Sequence, residues 1–228
     1  MSRFPTIAAV SALAIGLSAV SAPAGAVLVW SSAVGGTPTG ASYANFDDLA
    51  LGSAGGTSGG INVSFVPDGQ TVAGALSGKY AAPYISNSNG VLFGDSTVSG
   101  PDATQYLSTG KGQVILDLPG QASYFGLLWG SVDNYNILSF YDGGSLVGSL
   151  AGLDVNAGAN GDQGLNGTFY VNVTSTLAFD RVVASSSQYA FEFDNVAYRT
   201  VPESGTLGLY GLALLVGGLS SWRRPRSK

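Results

Sequence analysis

The chain has 228 residues and contains neither cysteine nor histidine. Without cysteine there is no disulfide staple, no thiol nucleophile and no thiolate metal site. Without histidine, serine–histidine hydrolysis, imidazole acid–base catalysis and histidine-bound zinc are excluded. Charge is also scarce, at 10% of residues, and positive charge is scarcest in the middle. Between residues 27 and 200 the basic residues are Lys79, Lys111, Arg181 and Arg199, against twelve aspartates and Glu192. Such a surface repels phosphate backbones, so no nucleic-acid partner is expected. The 34 glycines do not form a loop that follows a strand and opens a helix, which removes the nucleotide-cradle reading.

What the middle does contain is short apolar and aromatic runs punctuated by Gly, Ser, Asn and Asp, the pattern of strands joined by tight turns. Val27–Trp30 opens it and Tyr43–Asp48 reads as an early strand edge. Ile61–Val66 alternates apolar and polar residues, the period of a half-buried strand, and Pro67-Asp68-Gly69 then turns the chain. Gln113–Leu118 and Tyr124–Trp129 read as two strands around a Pro119-Gly120 turn. Asn136–Tyr141 and Ser145–Leu150 flank Asp142-Gly143-Gly144, a hairpin signal because glycine adopts positive φ without a Cβ clash. A polar loop, Asp154–Thr168, precedes three further runs: Phe169–Val173, Leu177–Ala184 and Tyr189–Tyr198. The spacing predicts an all-β domain over 27–200, an antiparallel β-sandwich of jelly-roll type, with a barrel as the alternative.

The two ends differ from this body. Residues 1–26 carry Arg3, an apolar stretch from Ile7 to Val20 and the small-residue site Ala24-Gly25-Ala26, the layout of a secretory signal helix. That layout implies an export translocon and a signal peptidase as partners. At the other end, Val201-Pro202-Glu203-Ser204-Gly205-Thr206 leads into an uncharged segment, 207–222, and then a basic cluster of Arg223, Arg224, Arg226 and Lys228. As a helix the segment would reach roughly 24 Å. That is short of the ~30 Å hydrocarbon core, and insertion would need thinning or flanking anchors. Four of the nine basic residues of the chain fall in these last six positions, and such a cluster stays on the cytoplasmic side. The expectation is a transmembrane helix with everything from Val27 to Thr200 outside.

The order of polar motif, apolar helix and basic end resembles the PEP-CTERM sorting signal of exosortase-dependent bacterial surface proteins. Val201, Pro202 and Glu203 fit that pattern, while Ser204 stands where the family usually has a second proline. The runs Tyr124–Gly143 and Phe191–Val196 are similar to segments of such ectodomains. The resemblance implies processing by an exosortase-type transpeptidase or protease, and a place at the cell surface or in the extracellular matrix. It also implies association with exopolysaccharide and no defined catalytic activity.

Within the body three sets of residues bear on chemistry. Glu192 and Asp194, two apart on one strand, would project from one face opposite Phe191 and Phe193, which suits an ordinary amphipathic strand better than a glycosidase pair. Asp154, Asn156, Asn160 and Asp162 place oxygens at alternate positions, readable as a calcium loop or as a solvated Asx-rich loop. No other cofactor is expected. Trp129 and Tyr135, with Tyr141 near the same hairpin and Asp133 and Asn134 as polar partners, are readable as a glycan site or as sandwich core. Asn62, Asn166 and Asn172 head Asn-x-Ser/Thr sequons, which the bacterial-type tail makes idle. The function expected is a non-enzymatic surface or matrix protein. A carbohydrate-binding module is the alternative, discriminated by whether Trp129 and Tyr135 are exposed on one face. A glycan-active enzyme comes third and would need two carboxyls facing across a cleft.

Overall fold

The computed structural model describes residues 25–202. The expected signal segment up to residue 24 lies outside the described residues, as do Glu203, Ser204, the helix expected over 207–222 and the Arg223–Lys228 cluster. Among the described residues no helix is long and apolar enough to cross a membrane.

The body is all-β and antiparallel. Its strands are β1 (Leu28–Ala33), β2 (Ser42–Ala44), β3 (Gly56–Ser58), β4 (Ile61–Val66), β5 (Gly69–Ala73), β6 (Tyr84–Ile85) and β7 (Gly100–Pro101). They continue with β8 (Gln105–Thr109), β9 (Gln113–Gly130), β10 (Asn136–Asp142), β11 (Ser145–Ala151), β12 (Phe169–Ser186) and β13 (Phe191–Thr200). β6 and β7 pair with each other, and the other strands form one continuous sheet. The alternation in Ile61–Val66 is realised, with Ile61 and Val63 buried and Asn62 and Ser64 exposed. The Gly143-Gly144 turn has φ of 51° and 92°, as a two-residue hairpin requires.

The sequence pattern placed turns where the structure has bends. Gln113–Leu118 and Tyr124–Trp129 are one strand of 18 residues, and so are Phe169–Val173 and Leu177–Ala184. Asp117 of β9 pairs with Arg181 and Ala122 pairs with Phe179, so four residues of β9 oppose one of β12. Pro119 and Gly120 sit in that bulge, where a missing N–H breaks no ladder bond. The next irregularity lies on β12, between Thr174 and Phe179. Two successive bulges bend both strands without ending either.

These bends sort the partners into two halves of the sheet. The first half of β9 lies between β12 and β4, with β10 and β11 beyond β12. Its second half lies between β12 and β13, with β1 outside β12 and β8 and β2 outside β13. One apolar cluster takes side chains from both halves, including Leu116, Phe140 and Phe179 from one and Phe125, Trp129 and Phe193 from the other. Edge-to-face contacts run from Phe125 to Phe140 at 6.1 Å and from Phe140 to Phe179 at 5.0 Å. With no disulfide available, this aromatic packing carries the stability.

β13 is not the amphipathic strand expected. From Phe191 to Tyr198 every residue is buried. Phe191 and Phe193 enter the core, and Glu192 and Asp194 on the other face are covered by the loops around residues 81 and 102.

Candidate functional site

At the end of the body where β9 stops and β13 starts, a cleft of about 210 Å³ opens. Its floor comes from the Ser131–Tyr135 connection between β9 and β10 and from Glu192 of β13. Its walls are the Lys79–Tyr80 loop, the Tyr189–Ala190 approach to β13, and Asn160 to Gln163 of the long polar loop.

Each wall is tied to the floor. Glu192 is 2% exposed. Its Oε1 accepts from the Ala81 N–H at 2.9 Å, which holds the Lys79 loop, and its Oε2 accepts from the Ser131 hydroxyl. Burial pushes the Glu192 carboxyl up to about 7, against the pull of those two donors. The Tyr135 hydroxyl lies 2.6 Å from Asp133 Oδ2 and 2.8 Å from the Tyr189 carbonyl. One hydroxyl proton cannot serve two acceptors, so when Tyr135 donates to the carbonyl the other contact needs a proton on Asp133. Burial raises the Asp133 carboxyl, against the pull of the Tyr135 hydroxyl that donates to it. Burial first and the Asp133 carboxylate second also raise the Tyr135 phenol, so Tyr135 stays a donor. Fully buried Asn136 donates to the Ala190 carbonyl at 3.1 Å and accepts from the Ser186 hydroxyl at 2.9 Å, fixing the turn before β13.

The long loop reaches the cleft through glycine. Gly161 has φ of 72°, its N–H donates to the Val132 carbonyl at 3.1 Å, and a Cβ there would lie 2.8 Å from Asp133 Oδ2. Only glycine allows the loop that approach. At the rim the Lys79 ammonium sits 3.9 Å from the centroid of the Tyr189 ring. Interaction with Tyr189 raises the Lys79 ammonium's pKa, so it stays charged.

Of the residues singled out from sequence, Asp133 and Tyr135 are brought together here as partners. Trp129 is not part of the site. It is fully buried and stacks on Phe191 at 4.3 Å, so it presents no face to a sugar. Tyr141 is half-buried away from the cleft. Of the calcium set, Asn160 lines the cleft and Asp154, Asn156 and Asp162 do not. Asp154 accepts from the Ala151 N–H, Asn156 from Gly158, Asn160 from Asp162 and Asp162 from Gly164, each within its own turn. Among the described residues no three acidic side chains form a metal set. Adding a chelator is therefore expected to leave the melting temperature unchanged, and a fall of several degrees on calcium removal would refute this reading of the loop.

Sequence reasoning missed Glu192 as a cleft residue, together with Ser131, Lys79 and Tyr189. Its signal was present in Ala190-Phe191-Glu192-Phe193, an acid framed by core aromatics, but the face it occupies is set by the distant Ala81 loop. Glu192 and Asp194, expected to project from one face, have separate surroundings: Glu192 faces the cleft and Asp194 lies beside Asp102 in the interior.

Comparison of the chain with protein-family models, with curated proteins and with solved structures finds no match.

Proposed function

We propose that this chain is an exported protein of the cell surface or extracellular matrix, non-enzymatic, that associates with exopolysaccharide through its β-rich body. In this reading the two bent halves form a jelly-roll-like sandwich, the ectodomain. The signal segment at 1–26 addresses the chain to the export translocon and signal peptidase. The segment from Val201 onward tethers it to the membrane through the 207–222 helix until an exosortase-type enzyme cuts the tail. The observation that carries the division is the end of β13. The last strand runs to Thr200, and the Val201 N–H donates to the Gln121 carbonyl at 2.8 Å. The last described strand therefore ends next to the stretch that this reading takes as the sorting motif.

Binding rather than catalysis fits the cleft. Asp133 and Glu192 share it, as a carboxylate-pair hydrolase would need. Both Glu192 oxygens, however, already accept protein hydrogen bonds that hold the walls, which suits a scaffold rather than a proton donor. The lectin-like alternative survives in altered form, without Trp129 and with Asp133 and Tyr135 retained.

Intact-mass measurement of the protein released from the surface tests the tail. The expected mass is that of a chain shortened at both ends, losing the 207–222 segment and the basic cluster. A C-terminus still at Lys228 would overturn exosortase-type processing.

A further inference from the structure

Resting on that reading, we infer that the cleft holds one neutral sugar ring, taken end-on from a glycan chain and recognised by hydrogen bonds rather than by aromatic stacking.

Size comes first. At about 210 Å³ the cleft is below the roughly 300 Å³ at which drug-sized pockets begin. It has room for one ring and not for a run of them.

Shape of the lining decides how the ring is met. Sugar-binding surfaces that run along a chain need flat aromatic faces, and Trp129, Tyr189 and Tyr80 are each packed against a neighbour. Trp129 is in the core. One side of the Tyr189 ring faces the Lys79 ammonium. The ring also lies so close to Gly110 that a Cβ there would clash with it. Tyr80 meets Tyr106 edge-to-face at 6.4 Å.

Charge excludes the ionic ligands. Asp133 on the floor opposes an anion such as a uronate, and Lys79 at the rim opposes an ammonium such as an amino sugar. A hydroxyl both donates and accepts, so it is the group that can use both. Asp133 Oδ1 is an acceptor, since only Oδ2 meets Tyr135. The Asn160 side chain uses its oxygen on the Asp162 N–H, which leaves the NH₂ as the group it can offer. Gln163 adds a donor along the same wall, and Lys79 adds one from the rim. An acceptor on the floor and donors on the wall match adjacent hydroxyls of a ring.

The test uses the full chain in a detergent without a sugar headgroup. Saturation-transfer NMR is run with methyl glycosides of glucose, galactose and mannose, then with methyl glucuronide and methyl glucosaminide. At least one neutral glycoside is expected to bind saturably, with the charged pair at least tenfold weaker. Asp133→Asn and Asn160→Ala are expected to weaken binding fivefold or more while the melting temperature holds. Competition by a neutral glycan is expected to rise as it is cut shorter at constant sugar mass, because ends multiply. Equal binding of the charged sugars, unchanged binding by both variants, or no gain on shortening would each overturn the inference. Retention of purified exopolysaccharide separates the two levels. If the polymer is retained and no neutral glycoside binds, the inference fails and the proposed function stands. If the polymer is not retained, the proposed association fails as well.

Discussion

Replacing Trp129 with alanine is expected to destabilise the body by about 3–5 kcal/mol, a large share of the total stability of a domain this size. The indole is fully buried on the central strand β9, its residue paired with Phe169 on one side and Phe193 on the other. It stacks on Phe191 at 4.3 Å with the planes 14° apart. Truncation removes that stack and leaves a cavity beneath Phe193, which itself contacts Phe191 at 5.6 Å and Phe46 at 6.1 Å. Trp129→Phe separates packing from polarity. It keeps a ring on Phe191 and removes an indole N–H that has no hydrogen-bond partner, so a cost within about 1.5 kcal/mol is expected. Urea denaturation of the three proteins measures both. A loss under about 1 kcal/mol for the alanine variant would mean that the stack does not hold the core. Glycan binding offers a second check, since a sugar platform at Trp129 would lose ligand in both variants at temperatures where they remain folded.

The strands were legible in sequence wherever one face was wet. Ile61–Val66 and the Asn136–Leu150 hairpin follow from alternation and from Gly143-Gly144, both local rules. Legibility failed where the partner strand decides. Pro119-Gly120 reads as a turn by composition, but Pro119 lies in a bulge where β9 bends, keeps β12 as a partner and exchanges β4 for β13. The same applies to Ser175–Ala178 in β12. Glu192 and Asp194 were legible as a same-face pair and not as buried groups, because what covers them comes from residues 81 and 102, far away in sequence. Part of the cleft is legible in sequence: Asp133 and Tyr135 stand beside a predicted strand end, and Asn160 in a polar loop. That these meet depends on Gly161, whose positive φ brings the loop onto Asp133, and no sequence spacing encodes that approach. Trp129 stays open between two readings in sequence, since an aromatic at a strand end serves either surface or core, and its burial decides for the core.

The second large effect is a fall in stability as pH rises from mildly acid to mildly alkaline. Asp194 is fully buried beside Asp102, itself 3% exposed. Asp102 Oδ1 accepts from the Thr104 N–H at 2.8 Å and from the Thr104 hydroxyl at 2.6 Å. No donor meets either Asp194 oxygen in hydrogen-bonding geometry, and the adjacent Asn195 N–H exerts only a weak pull on it. Burial first, and the Asp102 charge second, hold the Asp194 carboxyl well above its ordinary range. Burial raises Asp102 too, while Asp194 acts on it in the opposite sense as a hydrogen-bond donor. On these directions the pair is expected to share a proton held on Asp194. In the unfolded chain these carboxyls release their protons near about pH 4. Between that pH and the folded value the native state binds more protons than the unfolded one, so stability falls as pH rises. The contribution is complete below about pH 4 and is lost as pH passes through the folded value. Glu192 acts with the same sign. Its rise from 4.5 to about 7 corresponds to roughly 3 kcal/mol lost by about pH 8. Denaturation at about pH 4.5, 6 and 8 is expected to show this slope. Asp194→Asn replaces the shared proton with a permanent N–H toward Asp102, so the variant should lose little at the acid end, gain on the wild type at the alkaline end and flatten the profile. A variant with the wild-type slope would show that the two aspartates do not share a proton. Glu192→Gln should remove a separate share of the slope, because its surroundings at Ser131 and Ala81 do not include the Asp102 pair.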